Sequence, residues 1–205
     1  MSHTAGVRAA QKQRTRQALL EAALDLLAEQ SLSSLGLREV TRAAGVAPTA
    51  FYRHFHSTAD LGVALVEEAL GSLHPLIGHT VSAAGDTGER IARAIDLIAR
   101  HVREHPAHVR FVARERNGGV QPVRAAIAGQ LARFTREVRT GLAADPESAG
   151  WSDEDLLMLA GLYVDQMLAT AAAFLEAEPG QERDIAREAA RRLRLISIGR
   201  RHWLG

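Results

Sequence analysis

Gly45 and Pro48 lie three positions apart and fix how the segment 37–55 can fold. Apolar residues recur at helical spacing before Gly45, and glycine tolerates the left-handed conformation that ends a helix. Pro48 suits the first turn of a following helix, where its missing N–H costs nothing. We therefore predict a short helix over 37–44, a tight turn, and a second short helix over 48–54.

A short helix that follows a tight turn is the geometry that enters the major groove of DNA, which is about 12 Å wide. A longer amphipathic helix is predicted before this pair, from about residue 11 to 30. Ser57 and Asp60 form the sequence of a capping box, which begins a fourth helix near residue 58. Residues 1–57 are therefore predicted to form a three-helix domain of the helix-turn-helix type.

The rest of the chain, 58–205, also carries helical signals. Aromatic residues make up only 4% of the sequence, whereas alanine, leucine and arginine, which favour helices, are abundant. Proline and glycine divide this part into further helices, which we predict at 88–104, around 109–113, at 122–144, 153–175 and 181–203. The chain is therefore predicted to be all-α, with an N-terminal helix-turn-helix domain and a larger C-terminal helical domain.

The stretch 153–175 is apolar on nearly every side, and a helix of this kind must be covered on every side. One face can pack against its own domain, but another face needs a further partner. The last helix, 181–203, adds an apolar stripe at Ile185, Ala189, Leu193 and Ile196. We predict that a second copy of the chain covers these two helices in a symmetric four-helix interface.

Charge is distributed unevenly, although the net charge is only +1. Residues 1–57 carry seven Lys and Arg against four Asp and Glu, which suits an anionic partner such as nucleic acid. The lack of cysteine excludes disulfides, thiolate zinc sites and cysteine nucleophiles. The N-terminal residues lack the apolar core of a signal peptide, and we expect no membrane-spanning run of about 18 apolar residues. These features predict a cytoplasmic protein without a membrane partner.

The segment Leu35–Phe55, LGLREVTRAAGVAPTAFYRHF, resembles the DNA-binding signature of TetR-type transcriptional repressors. Shorter segments resemble the FabR/DesT-like branch, which regulates unsaturated-fatty-acid synthesis and acyl-CoA desaturation: Gly6–Arg16, Leu37–Val40, Ala47–Thr49, Phe51–Phe55 and Arg114–Arg116. The family resemblance implies an all-α homodimer that binds a palindromic DNA operator and carries a C-terminal ligand-binding domain. The branch implies a long-chain acyl thioester, such as an acyl-CoA, as the effector, with no resident cofactor.

The two short helices carry the residues predicted to contact DNA: Arg38, Thr49, Tyr52, Arg53 and His54. The spacing of Phe51 and Phe55 directs both rings into the domain core, so that the residues between them face outward. By resemblance, Tyr52 and His54 match phosphate contacts of the family. Thr49, at the start of the recognition helix, is better placed to touch a base edge or a thymine methyl group.

The N-terminal residues form a basic arm that leads into the first helix: Arg8, Lys12, Arg14 and Arg16. One interpretation is a disordered basic tail. The other is an arm that reaches an adjacent minor groove, for which Gly6 leaves the chain flexible. We include Arg8, Lys12 and Arg14 among the predicted DNA-binding residues.

The predicted effector site is a tunnel for an acyl chain. Its lining residues, which would otherwise be ordinary core, are Phe111, Phe134, Met158, Tyr163, Met167 and Phe174. Arg114 and Arg116 are predicted to bind the CoA phosphates, because guanidinium groups pair well with phosphate. The alternative for these two arginines is a solvated surface paired with acidic side chains.

Two other functions stay open. One is a TetR-type repressor that senses a different hydrophobic molecule, such as a drug. The other is a helical enzyme that acts on acyl thioesters, but the chain has no G-x-S-x-G motif and no catalytic residue is predicted. His101, His105 and His108 are close in sequence, yet Val102 stands where the H-E-x-x-H motif needs glutamate, so we predict no metal site.

Overall fold

A computed structural model describes residues 2–82 and 85–203, with side chains for residues 6–81 and 85–203. These residues form α-helices and one short 3₁₀ helix at Pro146–Ser148, and no strand occurs among them. The α-helices are α1 (Ser2–Leu26), α2 (Leu37–Ala43), α3 (Pro48–Phe51), α4 (Thr58–Gly71), α5 (Leu73–Ser82), α6 (Thr87–Glu104), α7 (Pro106–Glu115), α8 (Gln121–Ala143), α9 (Asp153–Leu175) and α10 (Glu182–Arg201). The all-α prediction is confirmed.

Helix α5 is the element that the sequence prediction missed. Pro75 occupies the third position of α5, in the first turn, where backbone N–H groups have no intrahelical acceptor and the missing N–H of proline costs little. The recognition helix α3 ends at Phe51 rather than at His54. Helix α9 begins at Asp153 and ends at Leu175, as predicted.

The chain divides into two compact units. The first comprises Met1–Ala69 and Arg110–Ile127, and the second comprises Leu70–Val109 and Ala128–Gly205. The predicted boundary at residue 57 therefore falls inside the first unit, which also contains most of α4. The division of function between residues 1–57 and 58–205 stays a prediction.

Local capping interactions define α2 and its neighbours. The N–H of Gly36 donates to Glu39 Oε2 at 3.1 Å, which closes the start of α2. Gly45 ends that segment with φ +65°, the left-handed conformation predicted for it. Pro48 begins α3 after Ala47, and Ser57 Oγ accepts a hydrogen bond from the Asp60 N–H at 3.1 Å before α4.

The core of the second unit joins α6, α9 and α10. Ile91 and Ile95 of α6 pack against Ala189 and Leu193 of α10. The predicted assignment of the α10 stripe to a second copy is therefore wrong for Ala189 and Leu193, which are buried within their own unit. Helical periodicity shows that a face is apolar but does not identify the neighbour that covers it.

Two helical stretches, Thr58–Val81 and Asp153–Leu175, are long and apolar enough to cross a membrane by length and composition alone. The expectation that no such run exists is therefore wrong. Core helices of soluble proteins pass the same test, and half of the best window of Thr58–Val81 is buried. Only 22% of the corresponding window of α9 is buried, so this helix presents a large apolar surface.

Candidate nucleic-acid interface and effector site

Helix α3 separates a buried aromatic pair from an exposed polar surface. Phe51 and Phe55 are 0% and 2% exposed, with ring centroids 5.6 Å apart, as the spacing predicted. Thr49 and Arg53 are exposed, and Tyr52 is 61% exposed. The core thus holds the helix from one side and leaves its other side available to a partner.

His54 lies where α1 and α3 bring cationic side chains together. Its pKa is lowered, first by burial and then by the positive charges of Lys12, Arg16 and Arg53. The Nδ1 atom of His54 is buried and has no hydrogen-bond partner among the described residues. The guanidinium of Arg16 also lies 5.2 Å from the centroid of the Phe55 ring. This cationic cluster, formed by Lys12, Arg16 and Arg53 around His54, is a place where an anion such as a phosphate is favoured.

The basic arm is helical. Residues 2–10 continue α1, so both interpretations of the arm, a disordered tail and a flexible minor-groove arm, are wrong in conformation. The segment contains three alanines, the residue with the highest helix propensity, and Gly6 lies within it. A helix about 10 Å wide does not fit a minor groove about 6 Å wide. Arg8 and Lys12 are exposed one turn apart, which places them on one face of α1.

The remaining predicted DNA-binding residues are also on the surface. Arg14 is exposed on α1, and Arg38 is exposed on α2 with Arg42 one turn later. All of the predicted DNA-binding residues therefore belong to the first unit. Their contacts with DNA stay predictions.

The predicted acyl-CoA residues do not share one unit. Phe111, Arg114 and Arg116 belong to the first unit, and Phe134, Met158, Tyr163, Met167 and Phe174 belong to the second. Within the second unit, Tyr163, Met167 and Phe174 pack against the α6–α10 core, whereas Met158 is 46% exposed. The Tyr163 hydroxyl lies 2.7 Å from Ser197 Oγ, and burial raises the pKa of Tyr163 although this hydrogen bond opposes the shift.

Arg114 has a different set of partners from the one predicted. Its guanidinium donates to the carbonyl oxygens of Leu27 and Gln30, each at 2.8 Å, and of Ala28 at 3.2 Å. The next residue, Glu115, is 1% exposed and accepts a hydrogen bond from the Leu32 N–H at 2.9 Å. Because its donors bind the backbone, Arg114 is poorly suited to the predicted phosphate role.

A polar cluster between α5 and α8 was not predicted. His74 is 7% exposed, and its Nδ1 lies 2.9 Å from Glu137 Oε1 while its Nε2 lies 2.5 Å from Gln130 Oε1. The His74 ring centroid is 4.3 Å from that of Phe134. The spacing of Gln130, Phe134 and Glu137 places them on one face of α8, and this was the signal available in the sequence.

The three histidines near the α6–α7 junction lie close together. The ring centroids of His101 and His105 are 5.1 Å apart, and those of His105 and His108 are 5.8 Å apart. The pKa of His101 is lowered, first by burial and then by the other two histidines. Within residues 2–82 and 85–203, no group of three or more His, Asp or Glu side chains is placed to hold a metal ion.

Comparisons with known proteins agree with this architecture. Residues 19–65 match the family model described as bacterial regulatory proteins, tetR family, so this part of the chain is similar to the helix-turn-helix domain of that family. The match covers α2 and α3 together with parts of α1 and α4. It does not distinguish the FabR/DesT-like branch from the rest of the family.

Solved structures share the fold over nearly the whole chain. A TetR-family transcriptional regulator from Syntrophomonas wolfei has a TM-score of 0.73 at 15% identity, over 91% of this chain and 96% of that one. The regulator FadR from Bacillus subtilis, solved with stearoyl-CoA, has a TM-score of 0.69 at 16% identity, over 88% and 96%. SmeT, solved with triclosan, has a TM-score of 0.71 at 17% identity, over 90% of each chain.

Proposed function

We propose, from the TetR-type domain at residues 19–65, that the chain is a dimeric, effector-responsive transcriptional repressor. The observation that carries this proposal is the surface formed by α3 and the turn directly after it, where Tyr52 and Arg53 are exposed next to the buried Phe51. The cationic cluster supports it, because duplex DNA binds where positive charge tracks its phosphates. A regulator of this kind acts on DNA in the cytoplasm.

Selection of binding sequences from a random DNA pool, with the full chain, tests this function. We expect a two-fold symmetric operator whose half-sites are one helical turn, about 34–36 Å, or a multiple of it apart. The logarithm of the binding constant should fall with the logarithm of salt concentration by about 0.9 per neutralised phosphate. A chain that enriches no sequence would overturn the proposal.

The proposed dimer uses the outer face of α9 and α10. Exposed residues of α9 follow one another at helical spacing: Met158, Leu162, Asp165, Ala169 and Ala173. A groove of about 360 Å³ runs between this face and α10, lined by small residues such as Ala169 and Ala173 and by the charged Glu188 and Arg192. Three of the four acidic residues of α9 lie in its first turn, and Asp165 is the acidic residue among these exposed positions. A second copy that places its α10 against this face would cover the apolar residues on it.

The proposed effector is a long-chain acyl-CoA, and the proposed targets are genes of fatty-acid desaturation and unsaturated-fatty-acid synthesis. The fold likeness to a regulator solved with stearoyl-CoA supports an acyl thioester. The half-buried Tyr163, Met167 and Phe174 of the second unit supply apolar side chains that an acyl chain needs. The contacts of Arg114 argue against the phosphate role predicted for it, and the role predicted for Arg116 stays a prediction.

A hydrophobic drug is the second candidate effector, favoured by the likeness to a structure solved with triclosan. Calorimetric titration with acyl-CoAs of rising chain length, and separately with triclosan, distinguishes the two. We expect acyl-CoA affinity to rise with each methylene that is buried, by about 0.8 kcal/mol. Binding of triclosan alone would replace the acyl-CoA proposal, and release of free CoA in the same samples would favour the helical-enzyme alternative.

A further inference from the structure

We infer that Arg114 and Glu115 of α7 are positioning residues for the helix-turn-helix: together they hold the end of α1 and the link that leads to α2. We call these two side chains, with the backbone of residues 27–32, the α1 clamp. The inference rests on the proposed DNA-binding function for its consequence, but its geometry lies wholly within the first unit.

Arg114 holds the turn that follows α1. Helix α1 ends at Leu26, and its last carbonyl groups accept from the backbone N–H groups of that turn. The guanidinium of Arg114 donates to the carbonyls of Leu27, Ala28 and Gln30, which lie in the turn itself. A cation at this position also opposes the partial negative charge of the helix end. One side chain therefore fixes the path that the chain takes after α1.

Glu115 holds the next part of the same link. Its Oε1 accepts from the Leu32 N–H at 2.9 Å, and its Oε2 has no hydrogen-bond partner among the described residues. A carboxylate buried to this extent is costly unless it is well paired, so stability alone is a poor reason for its presence. Gly118 makes room for it, because a Cβ there would overlap the Glu115 carboxylate.

The clamp lies at the point where the DNA-contacting helices are joined. Helix α1 carries Lys12 and Arg16 of the cationic cluster, and the link from residue 27 to 36 leads directly into α2. Leu32, which is 2% exposed, packs so closely on α4 that a Cβ at Gly62 would overlap it. The clamp therefore sets the angle between α1 and the α2–α3 pair.

Four variants of the full chain test the clamp: Arg114→Gln, Glu115→Ala, and the conservative Arg114→Lys and Glu115→Gln. Arg133→Gln, which removes an exposed arginine of α8 that pairs with Glu137, is the matched control. Two measurements are made on folded protein at low temperature: amide hydrogen exchange without DNA, and affinity for the selected operator. The glutamine at 115 keeps an oxygen that accepts from the Leu32 N–H, so it should rescue what alanine loses.

We expect Arg114→Gln and Glu115→Ala to speed exchange of the amides of residues 27–36 by about tenfold or more, with α9 and α10 unchanged. Operator affinity should fall by about tenfold or more, with Arg114→Lys intermediate and Glu115→Gln and Arg133→Gln near the wild-type value. Unchanged exchange at 27–36 would overturn the clamp. Faster exchange with operator affinity within twofold would overturn its positioning role. If the wild-type chain binds no DNA, the proposed function fails, and the exchange measurement alone decides whether the clamp holds the link.

Discussion

Phe51 and Tyr52 are neighbours in sequence with opposite environments, and their rings meet edge to face with centroids 5.7 Å apart. Phe51 is completely buried and Tyr52 is 61% exposed. The buried ring anchors α3, and the exposed ring, lying against it, is held in a defined position. Phe51 therefore contributes to the folded core, whereas the next residue, Tyr52, is available to contact a partner.

Tyr52→Ala should lower operator affinity by about tenfold or more and leave the melting temperature within a few degrees of the wild-type value. Exposed side chains contribute little to stability, whereas a lost phosphate contact weakens DNA binding directly. Fluorescence anisotropy with a labelled operator measures the affinity, and thermal circular dichroism measures the melting temperature. Phe51→Ala is the contrasting variant and should cost about 3–5 kcal/mol of unfolding free energy. Normal operator binding by Tyr52→Ala would show that α3 is not the recognition helix.

Operator affinity should increase as the pH falls from 8 to 6. In the free protein the pKa of His54 is lowered by burial and by neighbouring cations, so the ring is neutral at pH 7. A DNA phosphate placed beside the ring would favour its protonated form, so binding takes up a proton and is strengthened at lower pH. His54→Gln should flatten this dependence, and the exposed His202→Gln should not. Equal slopes in both variants would place His54 away from the phosphates.

The lowered pKa of His54 has the opposite effect on the stability of the free protein, which should fall as the pH falls. Because the folded-state pKa of His54 lies below its unfolded value of 6.5, the stabilising contribution is complete above about pH 6.5 and decreases as the pH falls below it. Chemical denaturation at pH 7.5 and pH 5.5 should therefore show a larger loss of stability in the wild type than in His54→Gln.

Leu162→Arg and Leu195→Arg should each convert the proposed dimer into a monomer. These leucines are 49% and 71% exposed in the single chain, so the substitutions leave its core intact and place a charge in the interface. Light scattering at micromolar concentration is the measurement. Leu76→Arg, which changes a leucine of α5 that is 46% exposed, is the control and should stay dimeric. A wild-type monomer at this concentration would contradict the interface.

Arg200→Met should destabilise the second unit by about 3 kcal/mol. Arg200 is 4% exposed and lies 3.5 Å from Asp145 Oδ2, so its removal leaves a largely buried carboxylate without this partner. Burial alone would raise the pKa of Asp145, but the Glu147 N–H, Arg200 and Arg90 lower it overall. The stabilisation is therefore present above about pH 4 and lost at lower pH, and the variant should be less sensitive to acid than the wild type. Arg201→Met, at an exposed neighbour, should cost less than about 1 kcal/mol.

Local features of the fold were predictable from the sequence, and long-range partners were not. Gly45, Pro48 and Ser57 act on residues within four positions, so their roles follow from spacing and backbone chemistry alone. Arg114, in contrast, bonds to a carbonyl 87 positions earlier in the chain. An arginine beside other arginines predicts an anion site equally well, and the sequence contains no signal that identifies a backbone partner at this distance.

The candidate effector site shows the same limit. Phe111 and Phe134 are both buried aromatic residues of the C-terminal half, and hydrophobicity alone grouped them. The chain returns to the first unit over residues 110–127, which separates the two rings into different units. A composition-based grouping cannot detect such a return, because it depends on which surfaces pack and not on residue type.

Because residues 110–127 belong to the same unit as residues 1–69, they also determine where this protein can be cut to make a separate DNA-binding module. A DNA-binding module excised at residue 57 or 69 would lack the two side chains that bind the backbone of residues 27–32. A fusion that grafts this N-terminal segment onto the sensor half of another regulator would inherit the same defect. Any hybrid regulator built from this chain therefore has to include both the N-terminal segment and Arg110–Ile127, which are separate in the sequence.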